Sequence, residues 1–196
     1  MNIGVKMKDG EGIIRSLDYP LSEELDQIRN IAIFAALTAI GAKVYIPHEP
    51  VPFTLQTLFV VLSGAILGRR NGTMSMLLYL ALGAAGLPVL AGPEVGLSVF
   101  FGTTAGYLFG FVVSAAVVGA MIHFSRSLLW TTLVMLIGFL IIFACGTVYL
   151  NQVFIHNWQL SLTQGFLIFS VWDLVKLGAA VAVYRIWQST PRVTPS

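Results

Sequence analysis

Residues 165–187 read GFLIFSVWDLVKLGAAVAVYRIW, an apolar stretch with two charged residues in its interior and a third, Arg185, near its end. A helix of about 20 apolar residues crosses a bilayer, so this stretch is long enough to be a membrane span. Asp173 and Lys176 lie well inside both of its ends, and their spacing of three puts them on one face of a helix. Each would cost about 2.5–3.5 kcal/mol if it faced lipid at the helix centre. Both side chains are therefore predicted to face protein or an internal cavity.

These two charges have two interpretations. Asp173 and Lys176 can form a structural ion pair that neutralises itself, or a buried polar site that binds a solute. Ionisable residues inside a membrane are rare and are functional by default, which favours the binding site. The structural ion pair stays open as the alternative.

The composition places the chain in the membrane class. Hydrophobic residues make up 57% and charged residues 10% of its 196 residues, and the mean hydropathy is +0.84. A soluble domain of this length does not need so much apolar surface. The net charge is only +2 and the basic residues are scattered, which argues against a nucleic-acid partner. The chain is therefore predicted to be an all-α integral membrane protein with the lipid bilayer as its main surroundings.

Prolines, glycines and short polar segments divide the chain into candidate membrane spans. Pro47, Pro50 and Pro52 break the chain after the first span, since proline removes a backbone donor and restricts the preceding residue. Five of the predicted spans are residues 28–46, 53–67, 73–90, 128–150 and 165–187. The remaining span, fourth in order, follows the glycine ladder Gly102, Gly106 and Gly110 and ends at Ile122. Segments 91–107 (a loop or re-entrant segment) and 151–164 (a polar loop) connect them. Residues 28–187 are thus predicted to be a membrane domain of six transmembrane helices.

The positions of the basic residues predict the orientation of these spans. Arg69 and Arg70 lie between the second and third spans, and Arg126 lies between the fourth and fifth. Six spans put these residues and both termini on one side, and lysine and arginine are enriched on the cytoplasmic side. Residues 1–27 and 188–196 are therefore predicted to be cytoplasmic tails of a multi-pass protein of the cell membrane.

Small residues recur along the first span at spacings of four, as Ala32 and Ala36 and as Ala35 and Ala39. Such stripes let another helix approach closely, which is a main source of helix association in lipid. The neighbouring helix can belong to another protein or to this chain, and the sequence leaves both readings open.

Motifs for catalysis are missing from the sequence. His48 and Glu49 are not followed by the second histidine of a zincin helix, and there is neither a Gly-x-Ser-x-Gly elbow nor a phosphate-binding loop. The histidines and the single cysteine are spread over separate segments without the spacing of a metal site. The chain is therefore predicted not to be an enzyme, and active transport would need an ion gradient or an ATPase partner.

Four segments carry a family resemblance. They are VPFTLQTLFVVLSGAILG at 51–68, YLALGAAGLPVLAG at 79–92, GTTAGYLFGF at 102–111 and WDLVK at 172–176. Together, in this order and without a large gap, they resemble the BioY family, the biotin-specific substrate-binding subunits (S-components) of energy-coupling-factor (ECF) transporters. The resemblance covers about residues 28–187.

The resemblance implies a six-helix S-component that captures biotin at the outer face and delivers it inward. It also implies that a transmembrane coupling subunit, itself bound to two ABC-type ATPases, docks on an Ala-x3-Ala stripe of the first helix. Ala32 with Ala36, or Ala35 with Ala39, matches that stripe. No cofactor is implied, because biotin is the transported ligand.

The family's substrate pocket lies between the third-to-fourth connection and the sixth helix, where Asp173 and Lys176 match its polar pair. The candidate substrate-binding residues are therefore Asp173, Lys176, Tyr107, Glu94 and Gln56. Glu94 departs from the family pattern, in which a small or amide residue is commoner at this position.

Biotin chemistry suits a buried ion pair. Its ureido group has two N–H donors and one carbonyl acceptor, which Asp173 and Lys176 can meet while they neutralise each other. The ligand's carboxylate is then expected at the outer mouth, where water, backbone N–H groups or Lys43 can solvate it. The opposite pose, with Lys176 on the carboxylate, stays open.

Two functions from other classes also stay open. One is an intramembrane enzyme that uses Asp173 as a general base. The other is an ion-coupled permease that works alone, with Asp173 and Lys176 as a proton relay.

Overall fold

The chain is mostly helical, as predicted. The computed structural model describes residues 11–167 and 171–190, with side chains within 23–167 and 172–190. Its helices are α1 (Glu11–Lys43), α2 (Gln56–Ala84), α3 (Ala105–Met121), α4 (Leu128–Leu150), α5 (Trp158–Ser161) and α6 (Val171–Ser189). A short antiparallel hairpin connects α1 to α2 and consists of β1 (Tyr45–Ile46) and β2 (Phe53–Thr54).

Helix α2 reverses its direction at Gly68. The torsion angles there are φ 77° and ψ 179°, a backbone conformation that glycine adopts without a steric cost. A straight helix would separate Gly64 from Gly72 by about 12 Å, yet a Cβ atom on Gly72 would lie only 2.8 Å from the Gly64 Cα atom. The two arms of α2 therefore run antiparallel and in contact. The sequence predicted a turn over residues 68–72, but one residue suffices, and Arg69 and Arg70 already belong to the second arm.

Helices α3 and α4 pack closely through two members of the glycine ladder. A Cβ atom on Gly106 would lie 2.4 Å from the Tyr149 Cβ atom, and one on Gly110 would lie 3.0 Å from the Ile142 Cα atom. The third member, Gly102, precedes α3 and has no comparably close neighbour. Helix α4 has the bounds that the sequence predicted for the fifth span.

The connections hold more helical structure than the sequence predicted. A 3-10 helix, Gly96–Phe101, occupies the predicted loop before α3. The segment 151–164, predicted as a polar loop, consists largely of α5 between the π-helical turns Asn151–Ile155 and Leu162–Phe166. The loop prediction for this segment was wrong, because its polar residues cap and line short helical turns instead.

Several helix ends differ from the predicted spans. Helix α1 begins at Glu11, within the predicted tail, and α2 begins at Gln56 instead of residue 53. Helix α1 ends at Lys43, before the hairpin, and the second arm of α2 ends at Ala84, shortly before Gly86 with its φ of 90°. Helix α6 begins at Val171, whereas the predicted sixth span begins at residue 165. Residues 168–170, which fall inside that span, lie outside the described residues, as do 1–10 and 191–196 of the predicted tails.

Much apolar surface faces outward. Within the described residues, two helical segments are long and apolar enough to cross a membrane, Ala105–Phe124 and Leu128–Ile155. Large side chains at the surface include Phe124, Leu129 and Ile186, which are 75%, 70% and 68% exposed. Extended apolar surface of this kind marks a membrane or protein partner.

Candidate binding site

Asp173 and Lys176 form a buried ion pair on α6. The Lys176 Nζ atom lies 2.6 Å from the Asp173 Oδ1 atom, and the two side chains are 9% and 1% exposed. The prediction that both residues share a face that points into the protein is confirmed. Burying two charges is costly, but their mutual attraction and further hydrogen bonds offset part of that cost.

Lys176 also ties α6 to the beginning of α2. Its ammonium group donates to the Thr54 carbonyl oxygen at 2.9 Å and to the Thr57 Oγ1 atom at 3.0 Å. An ammonium group has three N–H donors, and together with Asp173 all three are engaged. The sequence showed Thr54 and Thr57 only as polar residues at the start of a short span, and did not identify them as site residues.

A cavity of about 60 Å³ adjoins the ion pair. Its wall is mostly apolar with a few polar groups, a composition typical of small-molecule sites. It is lined by Val51, Pro52, Phe53, Thr54, Gln56, Thr57, Leu90, Ala91, Val99, Thr104, Tyr107, Leu108, Phe111, Ile142, Phe143, Asp173 and Lys176. The structure therefore brings four of the five predicted substrate-binding residues to one cavity.

Gln56 contributes a buried amide to this wall. It is the first residue of α2 and is 3% exposed, and its Nε2 atom donates to the Tyr79 hydroxyl at 2.6 Å. Tyr79, on the second arm of α2, is fully buried. The Gly68 reversal is what brings these two residues together, because it folds the second arm of α2 back along the first.

Tyr107 contributes its ring to the wall and its hydroxyl to the framework. The hydroxyl donates to the Gly165 carbonyl oxygen at 2.8 Å, in the turn that precedes α6. The ring packs on Gly146 of α4, where a Cβ atom would lie 2.3 Å from ring atoms. It meets the ring of Phe143 edge to face, with centroids 6.3 Å apart. Tyr107 therefore joins α3, α4 and the approach to α6 beside the cavity.

Glu94 does not lie with the other predicted site residues. It lines a second, wider cavity of about 510 Å³, together with His48, Glu49 and the prolines around them. Pro52, Ala91, Val99 and Thr104 line both cavities, so the wider one is a vestibule to the narrower one. The turns around Gly92 and Gly96, two glycines with positive φ, lie on either side of Glu94 and carry it outward into this vestibule. Contact between Glu94 and a substrate stays a prediction.

Lys43, predicted as a solvating group for a ligand carboxylate, has a partner in the fold. Its Nζ atom donates to the Leu90 carbonyl oxygen at 2.8 Å. Leu90 itself lines the inner cavity. Lys43 therefore fixes the segment that follows α2 against the end of α1.

The two alanine stripes of α1 face different surroundings. Ala35 is 1% exposed and Ala39 is half-buried against the core, whereas Ala32 and Ala36 are exposed. A hydrogen bond from the Ser75 hydroxyl to the Ile31 carbonyl oxygen holds the second arm of α2 against this helix. The alternative that uses Ala35 with Ala39 as an external stripe is wrong, because Ala35 is covered by this chain.

The residues that line the inner cavity offer groups for binding and little acid–base chemistry. They include a carboxylate, an ammonium, an amide and several hydroxyls, while the nearest histidine, His48, lines only the vestibule. Among the residues that the structure describes, no three histidine, cysteine, aspartate or glutamate side chains could share a metal ion. The arrangement suits recognition of a neutral polar head group flanked by apolar surface.

Comparisons with known proteins agree with this reading. A family model described as the BioY family matches residues 15–192. The chain is 41% identical over 157 residues to a biotin transporter BioY from Thermotoga maritima, which covers 80% of this chain and 92% of the relative. It is 36% identical over 160 residues to a probable biotin transporter BioY from Pyrococcus horikoshii, and this match covers 80% of this chain and 93% of that relative.

A solved structure has the same fold. The S-component for biotin from an ECF-type ABC transporter superposes with a TM-score of 0.79 at 25% sequence identity, and the match covers 87% of this chain and 94% of that one. Because the family model spans most of the sequence and the fold agrees, the chain belongs to the BioY family.

Proposed function

We propose that the chain is the substrate-binding subunit of a biotin uptake system. The observation that carries this proposal is the Asp173–Lys176 ion pair, buried at the wall of an apolar cavity that opens to a vestibule. The relatives and the matching structure are named for biotin transport or biotin binding, and none is an enzyme by name. Transport of biotin, without chemical change, is the function that accounts for both the buried ion pair and the names of the similar proteins.

The proposed pose puts the ureido ring beside the ion pair. Asp173 accepts an N–H of the ligand, and Lys176 exchanges one of its bonds to Thr54 or Thr57 for the ureido carbonyl. Phe111 and Phe143 supply apolar surface for the ring system of the ligand. The ion pair and the ureido group are together neutral, so this pose adds no net charge to the buried site.

The valerate chain then extends into the vestibule. The inner cavity, at about 60 Å³, is smaller than biotin, whereas the vestibule adds about 510 Å³. A carboxylate there keeps its hydration, which is less costly than burying it beside Asp173. Inner lining side chains have to move outward as the ureido ring enters.

Binding of biotin by the purified chain tests this function. We expect native mass spectrometry of the full chain to show one biotin per chain, retained through removal of free ligand. If the chain instead carries a lipid product or no small molecule after incubation with excess biotin, the proposal is contradicted. Uptake by vesicles that contain this chain alone would support the permease that works without partners.

The proposed topology has six membrane-crossing helices: α1, the two arms of α2, α3, α4 and α6. It is supported by a hydrogen bond that joins two of the basic residues, in which Arg185 donates to the Arg126 carbonyl oxygen. Lys176 and Thr54 meet towards the other end of α6. Both termini and the Gly68 reversal, with Arg69 beside it, then lie on the cytoplasmic side of the cell membrane.

Cysteine labelling checks this orientation. In a Cys145→Ser background, we expect Gln159→Cys in α5 to react with an impermeant thiol reagent in intact cells, because α5 lies at the outer face. Asn71→Cys, next to the Gly68 reversal, should react only after permeabilisation. Labelling of position 71 in intact cells would show that the orientation is inverted.

In the proposed assembly, a coupling subunit with two ABC-type ATPases binds the exposed face of α1. Ala32 and Ala36 lie on that face, and exposed Ile33 and Ile40 extend its apolar surface. Small residues allow close backbone approach, and the flanking isoleucines add packing area. This assembly supplies the ATP hydrolysis for which the chain has no motif of its own.

A further inference from the structure

Tyr79 holds the amide of Gln56 at the cavity wall. Both residues are buried, at 0% and 3% exposure, and the Gln56 Nε2 atom lies 2.6 Å from the Tyr79 hydroxyl oxygen. The same hydroxyl lies 3.2 Å from the Val89 carbonyl oxygen. Gln56 lines the cavity beside Asp173 and Lys176, whereas Tyr79 does not reach it.

The direction of these hydrogen bonds follows from the chemistry of the groups. A carbonyl oxygen can only accept, so the Tyr79 hydroxyl has to donate its hydrogen to Val89. The Tyr79 oxygen must then accept from Gln56, and only the NH2 group of the amide can donate. The network therefore decides the orientation of an amide whose two ends have the same shape. The Oε1 atom of Gln56 is left, and no hydrogen bond among the described residues engages it.

We propose that Tyr79 is a positioning residue that selects the ligand through Gln56. By holding the NH2 group, it presents the Gln56 Oε1 atom to the cavity as a fixed acceptor. This inference rests on the proposed function, and it assigns the two ureido N–H groups separately, one to Asp173 and the other to Gln56. A ligand with only one N–H leaves a buried acceptor unpaired, which a hydrogen-bonding site discriminates against strongly.

Without the Tyr79 hydroxyl, the Gln56 amide can rotate and turn its NH2 group towards the ligand. The NH2 group, which has lost its partner, would then meet the second N–H of the ligand with a donor in place of an acceptor, and the preference of the site for a second N–H would fade. Tyr79→Phe keeps the ring and the packing of a fully buried side chain, so it isolates this effect.

The experiment measures biotin affinity of the full chain in detergent. We expect Tyr79→Phe to weaken biotin binding roughly tenfold, the effect of about one hydrogen bond. Tyr149→Phe, on the half-buried face of α4 away from the cavity, is the matched control and should bind as wild type. Thermal stability of both variants, measured in parallel, separates a folding defect from a binding defect.

Two biotin derivatives, each methylated on one ureido nitrogen, supply a readout that a structural role would not change. In the wild-type chain both should bind much more weakly than biotin. In Tyr79→Phe the penalty should shrink roughly tenfold for one derivative, whose methyl replaces the hydrogen that meets Gln56, and stay unchanged for the other.

Tyr79 also anchors Val89, next to Leu90 and Ala91 of the cavity wall, and this second role has to be separated. We expect Gln56→Leu to weaken biotin binding and Tyr79→Phe to add nothing in that background. If Tyr79→Phe weakens binding equally with and without Gln56, it acts through Val89 and the inference is overturned. It is also overturned if Tyr79→Phe binds as wild type. A wild-type chain that does not bind biotin would instead overturn the proposed function, and this inference with it.

Discussion

Replacing Lys176 with Met is expected to abolish measurable biotin binding and to lower the free energy of unfolding by about 3–5 kcal/mol, since it leaves Asp173 buried without its cation. Asp173→Asn should impair binding roughly tenfold to a hundredfold, the contribution of a charged hydrogen bond. Its effect on stability should be smaller, because Lys176 keeps Thr54 and Thr57 as partners and the Asn oxygen can still accept. Affinity and thermal unfolding of both variants check this asymmetry.

The double variant Asp173→Leu with Lys176→Met separates a binding site from a structural ion pair. Removing both charges together removes both desolvation penalties, so most of the lost stability should return. A small deficit should persist because the Thr54 carbonyl and the Thr57 hydroxyl lose their donor. Biotin binding should stay absent, since the ureido group has lost its partners. A stable double variant that binds biotin like wild type would rule out the site assignment and leave a purely structural pair.

The sequence was sufficient to predict the Asp173–Lys176 pair, because the physical reason for that pair is local. Two charges inside an apolar helix cannot face lipid, and a spacing of three residues puts them within reach of each other. What completes the site is not local: Thr54 and Thr57 lie more than 100 positions away, at 122 and 119 residues from Lys176. No pattern in the sequence pairs them with it, although their polarity at the start of a short apolar span was visible.

Glu94 and the Gln56–Tyr79 pair show what the sequence could not predict about the site, namely the depth of one side chain and the orientation of another. How far Glu94 lies from the inner cavity depends on the positive-φ glycines around it. Such turns give no periodic pattern in the sequence from which the direction of the chain can be inferred. Gln56 was identified, but its orientation depends on Tyr79, which sits on the far side of the Gly68 reversal. The sequence predicted a turn in that region without indicating that the two arms lie in contact.

The alanine stripes illustrate the same limit for a helix surface. Both stripes have a spacing of four, so local geometry treats them alike. Burial of Ala35 and exposure of Ala36 arise from how the rest of the chain packs on α1, for example through Ser75. Only the tertiary structure can therefore tell which stripe is available to another protein.

Ala32→Leu with Ala36→Leu should reduce co-purification of a coupling subunit at least tenfold while biotin affinity stays within about twofold of wild type. Leucine at both positions holds a neighbouring helix away and removes close backbone packing, the main source of association in lipid. Both residues are exposed and neither lines the cavity, so the binding site should be unaffected. Pull-down of the ECF complex and biotin titration of the isolated chain measure the two effects.

Two further variants make this result specific to one face of α1. Ala179→Leu with Ala182→Leu adds the same bulk to exposed positions on α6 and should leave assembly intact. Ala35→Leu should instead lower thermal stability, because overpacking a buried site costs about 1–3 kcal/mol. Loss of biotin binding in the Ala32 and Ala36 variant, with folding intact, would show that this stripe supports the site from within the chain. Equal loss of assembly in the α6 variant would place the coupling subunit elsewhere than on α1.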